Sequence, residues 1–214
     1  MDREQSWQII EQERLTLADL LESLTDDEWN RPSLCAGWRV RDVAAHVALA
    51  PQPPGPWGMV VEAVRARGSF NRLNHDIAVR HADRPGADLV AELREHAASR
   101  KLPAVTSYRN ILFDILVHGQ DIAIPLGLER PMPLDAARTA ATRVWAMGWP
   151  FWARRRLAKF HLHATDVEWT VGAGWHEVHG PIGALLLLLT GRTAAALDRL
   201  GGDGVARLLD AHAQ

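Results

Sequence analysis

The chain has 214 residues, enough to bury a core in one large or two small domains without disulfide or metal staples. Its 24 basic and 26 acidic residues leave a formal charge of -2, which gives no general attraction to nucleic acid. The single cysteine, Cys35, cannot close an internal disulfide; the apolar run ALLLLLT at 184–190 is far too short for a bilayer; and the stretch MDREQSWQII does not show the basic n-region and apolar h-region expected of a signal sequence. The expectation is therefore a cytoplasmic protein without nucleic-acid or membrane partners.

In chain order, Ile9, Ile10, Leu15, Leu17, Leu20 and Leu21 predict a helix over 3–24, punctuated by Thr25 and the acids after it. A second helix is predicted over 39–50, stopped by PQPPGP, and two more over 58–81 and, after RPG, 86–99. Residues 107–126 predict a buried helix, and 131–147 another with Pro133 near its first turn. From about Arg156 the pattern changes. AKFHLHA alternates, EWTVG is short and rich in β-branched and aromatic residues, and Gly172 and Gly174 provide a turn. Helices at 181–190 and near 193–212 complete the chain. The fold class is mostly α: a helical bundle over 1–150 and a small α+β unit over 151–214.

The densest chemistry lies in ILFDILVHGQDI at 111–122. Asp114 and His118 are one helical turn apart and share a face, while Ile111, Leu112, Phe113, Ile115, Leu116 and Val117 cover the rest. A carboxylate on a helix apolar all round needs a cation, hydrogen bonds or a metal ion. A second apolar segment, GWRVRDVAAHVALA at 37–50, carries His46. His46, Asp114 and His118 would supply three N/O ligands from two helices, a set that suits Zn2+ with an open fourth position. An arginine partner for Asp114 and an ordinary core role for His118 fit the same residues.

The run EWNRPSLCAGWRVRDVAAHVA at 28–48 and the later FDILVHGQDIAIPLG at 113–127 resemble the two signature segments of the mycothiol-dependent maleylpyruvate isomerase family, within the DinB-like superfamily of four-helix bundles. The matching positions are Trp29, Ser33 to Trp38, His46, Asp114, His118 and Asp121. LHATDVEWTVGAG at 162–174 and HGPIGALLLLLTGR at 179–192 resemble that family's small C-terminal domain. The best-characterised branch carries Glu where this chain has Asp114, which is one methylene shorter.

The resemblance implies a metal-dependent thiol enzyme. His46, Asp114 and His118 would be the metal ligands and Asp121 a residue orienting one of them. Arg192, at the family's Gly-Arg position, would stabilise a substrate carboxylate or enolate; the alternative is a helix C-terminal arginine answering the dipole. The implied cofactors are Zn2+, or Ni2+, Co2+ or Fe2+, which the ligand types also allow, and mycothiol, whose thiol a bound Zn2+ would deprotonate. The thiolate would add to a cis double bond conjugated to carbonyls and, after rotation, leave to give the trans isomer; in an S-transferase the adduct would be released. The partners are then a small electrophilic substrate and a low-molecular-weight thiol, in a monomer or homodimer. A binding protein without catalysis and a zinc-water hydrolase are the alternatives. Lys101 and Lys159 are the only lysines; this arginine bias fits a GC-rich, actinobacterial source.

Several residues have plainer readings. Cys35 is expected to be structural, with no nearby base. Arg154 to Arg156 are expected to form a solvated linker face, His75, His81 and His96 to lie on the surface, and Trp145, Trp149 and Trp152 to pack at the domain junction. Strand alternation puts His161 and His163 on one face, and with His176 and His179 they compose either a second metal site or solvated, pocket-lining histidines.

Overall fold

The computed structural model describes residues 1–52, 70–102 and 106–212. They form two compact units, Asp2–Arg130 and Pro131–Gln214.

In the first unit, α1 (Arg3–Glu22) starts at a capping box in which Asp2 and Gln5 each accept from the other's backbone N–H, at 2.8 and 2.9 Å. Its buried stripe of Trp7, Ile10, Arg14, Leu17, Ala18 and Leu21 follows helical spacing. A one-turn α2 (Asp26–Trp29) is capped by Thr25 and Glu28. Next come α3 (Val40–Leu49), α4 (Phe70–Ala82), α5 (Gly86–Glu95) and α6 (Tyr108–Ala123), the last running into a 3-10 turn, Ile124–Leu126, that stops at Gly127 with φ 71°. α1 and α3 each pack on both α5 and α6, closing a four-helix ring, and α4 packs on α3. Ile10, Leu17, Val43, Leu89, Leu93, Leu112 and Leu116 fill it. Residues 70–81 of the expected 58–81 helix lie in α4; residues 58–69 lie outside the described residues.

The helix expected to reach residue 99 ends at Glu95, and Arg14 collects the carbonyls of the turn that follows it. Arg14 is 1% exposed, and its Nη1 donates to the carbonyls of His96, Ala97 and Ser99 at 3.4, 2.9 and 2.9 Å. Burial pushes its pKa down to about 10, against the opposing pull of Asp114 and Glu11.

The second unit begins twenty residues before the expected boundary. α7 (Leu134–Ala146) packs on α9 (Ile182–Leu189), an almost entirely buried leucine helix, and α8 (Ala153–Arg156) adjoins α7. β1 (Phe160–Ala164) lies between β2 (Thr170–Val171), antiparallel to it, and β3 (His176–Gly180), parallel to it. Trp169 Nε1 ties this sheet to α7 through Thr142 Oγ1 at 3.1 Å. The single helix expected over 193–212 is two, α10 (Thr193–Leu197) and α11 (Gly204–His212). Gly201 interrupts it by exchanging backbone hydrogen bonds with His179, and Gly202 turns the chain with φ 106°. Arg156 is not a simple linker residue: its Nη2 donates to the Leu188 and Leu189 carbonyls at 3.0 and 2.9 Å, closing the C-terminal end of α9. Trp149 and Trp152 are 54% and 53% exposed. Among the described residues no helix is long and apolar enough to cross a membrane.

Between β2 and β3 the chain crosses the start of β1 at close quarters. Gly174 N donates to Phe160 O, and a Cβ on Gly174 would stand 2.0 Å from the Lys159 carbonyl carbon. Gly191, by contrast, has φ 88°, and a Cβ there would meet nothing within 4 Å among the described residues. Gly191→Ala should therefore cost only the left-handed backbone penalty, about 1–2 kcal/mol. Gly174→Ala, which collides with backbone, should cost on the order of 3 kcal/mol or more. Urea unfolding of both variants checks this order.

Candidate metal centre

Two elements of the first unit converge on one point. α3 is built from small residues where it is buried, Ala44, Ala45 and Ala48 among them, so its backbone lies close to its neighbours and carries His46 in with it. On α6 the predicted turn spacing holds, and Asp114 and His118 project together. His46 Nε2 lies 3.7 Å from Asp114 Oδ2 and His118 Nε2 lies 3.4 Å from Asp114 Oδ1; the imidazoles meet edge to face with centroids 4.9 Å apart. One ligand atom from each of the three residues lies within 4.8 Å of the others.

These spacings test the fit of an ion. A separation of 3.7 Å is too long for a hydrogen bond. Ligand atoms about 2.0–2.1 Å from Zn2+ at tetrahedral angles stand about 3.3–3.4 Å apart, which the His118–Asp114 pair already matches and the His46–Asp114 pair exceeds by a few tenths of an ångström. The side chains of His46, Asp114 and His118 keep 23%, 27% and 14% of their surface exposed, which leaves an approach for a further ligand.

The far side of His118 is fixed. Its Nδ1 lies 2.8 Å from Oδ2 of Asp121, which is fully buried, and the Cys35 thiol donates to the same oxygen at 3.1 Å while standing 3.9 Å from Nδ1. With Nδ1–H donating to Asp121, it is Nε2 that faces Asp114 and His46, and its lone pair is free for an ion once the proton it shares with Asp114 is lost. The turn before α3 supplies Cys35. Ser33 N and Oγ both donate to the Trp38 carbonyl at 2.9 Å, Gly37 takes φ 79°, and Leu34 N reaches the Asp121 carbonyl at 3.1 Å. Trp38 then lies edge-on to His46, with centroids 5.5 Å apart. The expectation that Cys35 has no nearby base is thus corrected. Its partners come from residues more than eighty positions away, a proximity with no local sequence signal.

Arg192 lies in the second unit, at the N-cap of α10, and its Nη1 donates to the Thr190 carbonyl at 2.8 Å. That carbonyl belongs to the C-cap of α9, as the plainer reading expects; a role toward a substrate carboxylate rests on the resemblance alone. Among the histidines expected on the surface, His81 is held half-buried by Glu92 at 2.7 Å and His75 stands 6.1 Å from the Trp38 ring, centroid to centroid.

Residues 10–103 match the family described as Mycothiol maleylpyruvate isomerase N-terminal domain. The match lies within the first unit and covers less than half of the chain. The matched stretch of the mycothiol maleylpyruvate isomerase N-terminal domain holds Trp29, the Ser33 to Trp38 turn and His46, and ends before Asp114. The fold is that of the crystal structure of the mycothiol-dependent maleylpyruvate isomerase, with a TM-score of 0.55 at 18% identity over 90% of this chain and 92% of that one. A histidine-to-alanine mutant of the isomerase gives the same values. No curated protein matches the sequence significantly.

Without metal the trio holds a proton. Burial works against the charged form of both groups, but the opposite charges and hydrogen bonds between them prevail: Asp114 is held far below the usual carboxylate range and His118 well above the usual histidine value. The His118 charge therefore stabilises the metal-free fold fully below pH of about 6.5 and fades as pH rises through its raised pKa; Asp114 contributes above about 3.9 and fades as acid reaches its depressed one. Uptake of Zn2+ at pH 7 should displace the His118 proton, so affinity should rise with pH. The calorimetric enthalpy measured in buffers of different ionisation enthalpy checks this. Asp121→Asn should lower metal affinity about 10–100-fold with helicity kept; unchanged affinity would remove Asp121 from the support of the centre.

Proposed function

We propose that the protein is a metal-dependent thiol enzyme of the maleylpyruvate isomerase kind, using Zn2+ or a similar divalent ion and a small thiol, mycothiol, to act on an electrophilic small molecule. The observation that carries the reading is the convergence of His46, Asp114 and His118 on one partly open point, with the far nitrogen of His118 tied to buried Asp121.

A divalent ion held there supplies Lewis acidity that turns a weakly nucleophilic thiol into a thiolate at neutral pH. The chain's own residues do the rest. Asp114 brings one negative charge between two neutral imidazoles and so lowers the net charge of the centre. Asp121 keeps His118 in the tautomer that presents Nε2, and the Cys35 thiol, by donating to Asp121, keeps that carboxylate turned inward. Trp38 and the apolar side chains of α6 limit water around the centre and so strengthen its electrostatics. The chemistry this favours is cis-trans isomerisation through reversible thiol addition, or S-transfer where the adduct is released.

Purified protein should contain about one zinc per chain by elemental analysis, and His46→Ala and His118→Ala should each lose it while keeping native helicity by circular dichroism. Full occupancy in either variant would sink the triad. Asp114→Glu should retain the metal if the longer carboxylate of the related branch fits. The loaded protein should consume mycothiol, or turn over catalytically with it, when given an activated cis-alkene. Metal-dependent hydrolysis without thiol would favour the hydrolase instead.

A further inference from the structure

A second group of metal-ligating side chains stands in the C-terminal unit. β1 and β3 run parallel in a register that sets His163 opposite His179 and His161 opposite Glu177. Alternation sends Phe160, Leu162, Val178 and Gly180 inward, and leaves His161, His163, Glu177 and His179 on the other face. His176 is out of phase with them: it lies near Phe160, centroids 6.0 Å apart, and pairs with Asp203 at 3.5 Å.

We propose that His163, Glu177 and His179 form a second Zn2+ site on this face, independent of the centre in the first unit. One ligand atom from each lies within 4.8 Å of the others. His163 Nδ1 is 3.3 Å and His179 Nδ1 3.9 Å from the same oxygen, Glu177 Oε1, and the two rings stack at 5.1 Å with 22° between their planes. Two imidazoles and a carboxylate are a donor set for Zn2+ with a fourth position left to solvent.

An ion pair between His163 and Glu177 would account for those two residues but not for the third. His179 Nδ1 is buried and has no hydrogen-bond partner among the described residues; at 3.9 Å the carboxylate is out of hydrogen-bond reach. An ion between them satisfies that nitrogen and Glu177 at once. The ring is also held in place. His179 exchanges backbone hydrogen bonds with Gly201, and a Cβ at position 201 would stand 2.7 Å from His179 Nε2, so the glycine gives the imidazole its room. The ligands come from two strands, so the ion would staple β3 to β1 in a unit whose third strand has two residues.

The test is Zn2+ titration of the untagged full chain by calorimetry, with Co2+ absorption reporting tetrahedral coordination. A His118→Ala protein should still bind one equivalent. A further Glu177→Gln substitution, or His163→Ala with His179→Ala, should weaken that binding at least tenfold with circular dichroism unchanged, whereas His161→Ala should leave it. If the His118→Ala protein does not fold, the wild type serves: its stoichiometry should fall by one in the His163→Ala/His179→Ala protein, whatever the first centre holds. A His118→Ala protein that folds and binds nothing, or a stoichiometry unmoved by the sheet substitutions, overturns the proposal.

Discussion

Much of the first unit is organised around one charge. Asp114 stands on a helix whose other faces are buried, and a carboxylate there is tolerable only if something cationic answers it. In the metal-free protein the answer is a protonated His118. Asp121 then has to receive the opposite nitrogen, which requires a fully buried second carboxylate. That carboxylate in turn accepts the Cys35 thiol, so a turn remote in sequence is fastened to α6. Each link leaves a polar atom that the next one satisfies.

A second buried charge in the same bundle works the same way. Arg14 sits in an otherwise apolar stripe of α1 and is neutralised mainly by carbonyl oxygens after α5, where it stands in for a missing C-cap. Arg130 crosses α6 at Gly119, where a Cβ would lie 2.8 Å from its Nε, and pairs with buried Glu13 at 2.7 Å. Burial raises the Glu13 pKa despite that partner. Long side chains with many donors are used here as local braces between helix ends.

What could be read from sequence follows the range of the forces involved. The four-residue spacing of Asp114 and His118 is a local consequence of helical period, and the buried character of α3 and α6 follows from uninterrupted apolar residues, so that pair and the place of His46 were legible. The alternation in FHLHA likewise put His161 and His163 on one face correctly. Partners made by chain reversal were not legible: Cys35 against Asp121, Glu177 in place of His176 beside His179, and Arg14 against residues 96–99. The division at Arg130 was missed because α7 has the same alanine-rich amphipathic pattern as a bundle helix, and only its packing on α9 assigns it to the second unit. The break after Leu197 was missed because LGGDG reads as a soft spot in a helix until Gly201 is seen paired with a strand.

That pairing has a bearing on association. A sheet edge with free N–H and C=O groups is a template on which another chain can grow. Here one border of the sheet is a strand of two residues, and at the other the backbone of His179 is already engaged by Gly201, with the chain turning away at Gly202 into α11. Little continuous backbone is left to recruit a neighbouring strand, so this small sheet, rich in histidine on its open face, is guarded against edge-to-edge growth by a single glycine contact rather than by lysine or proline.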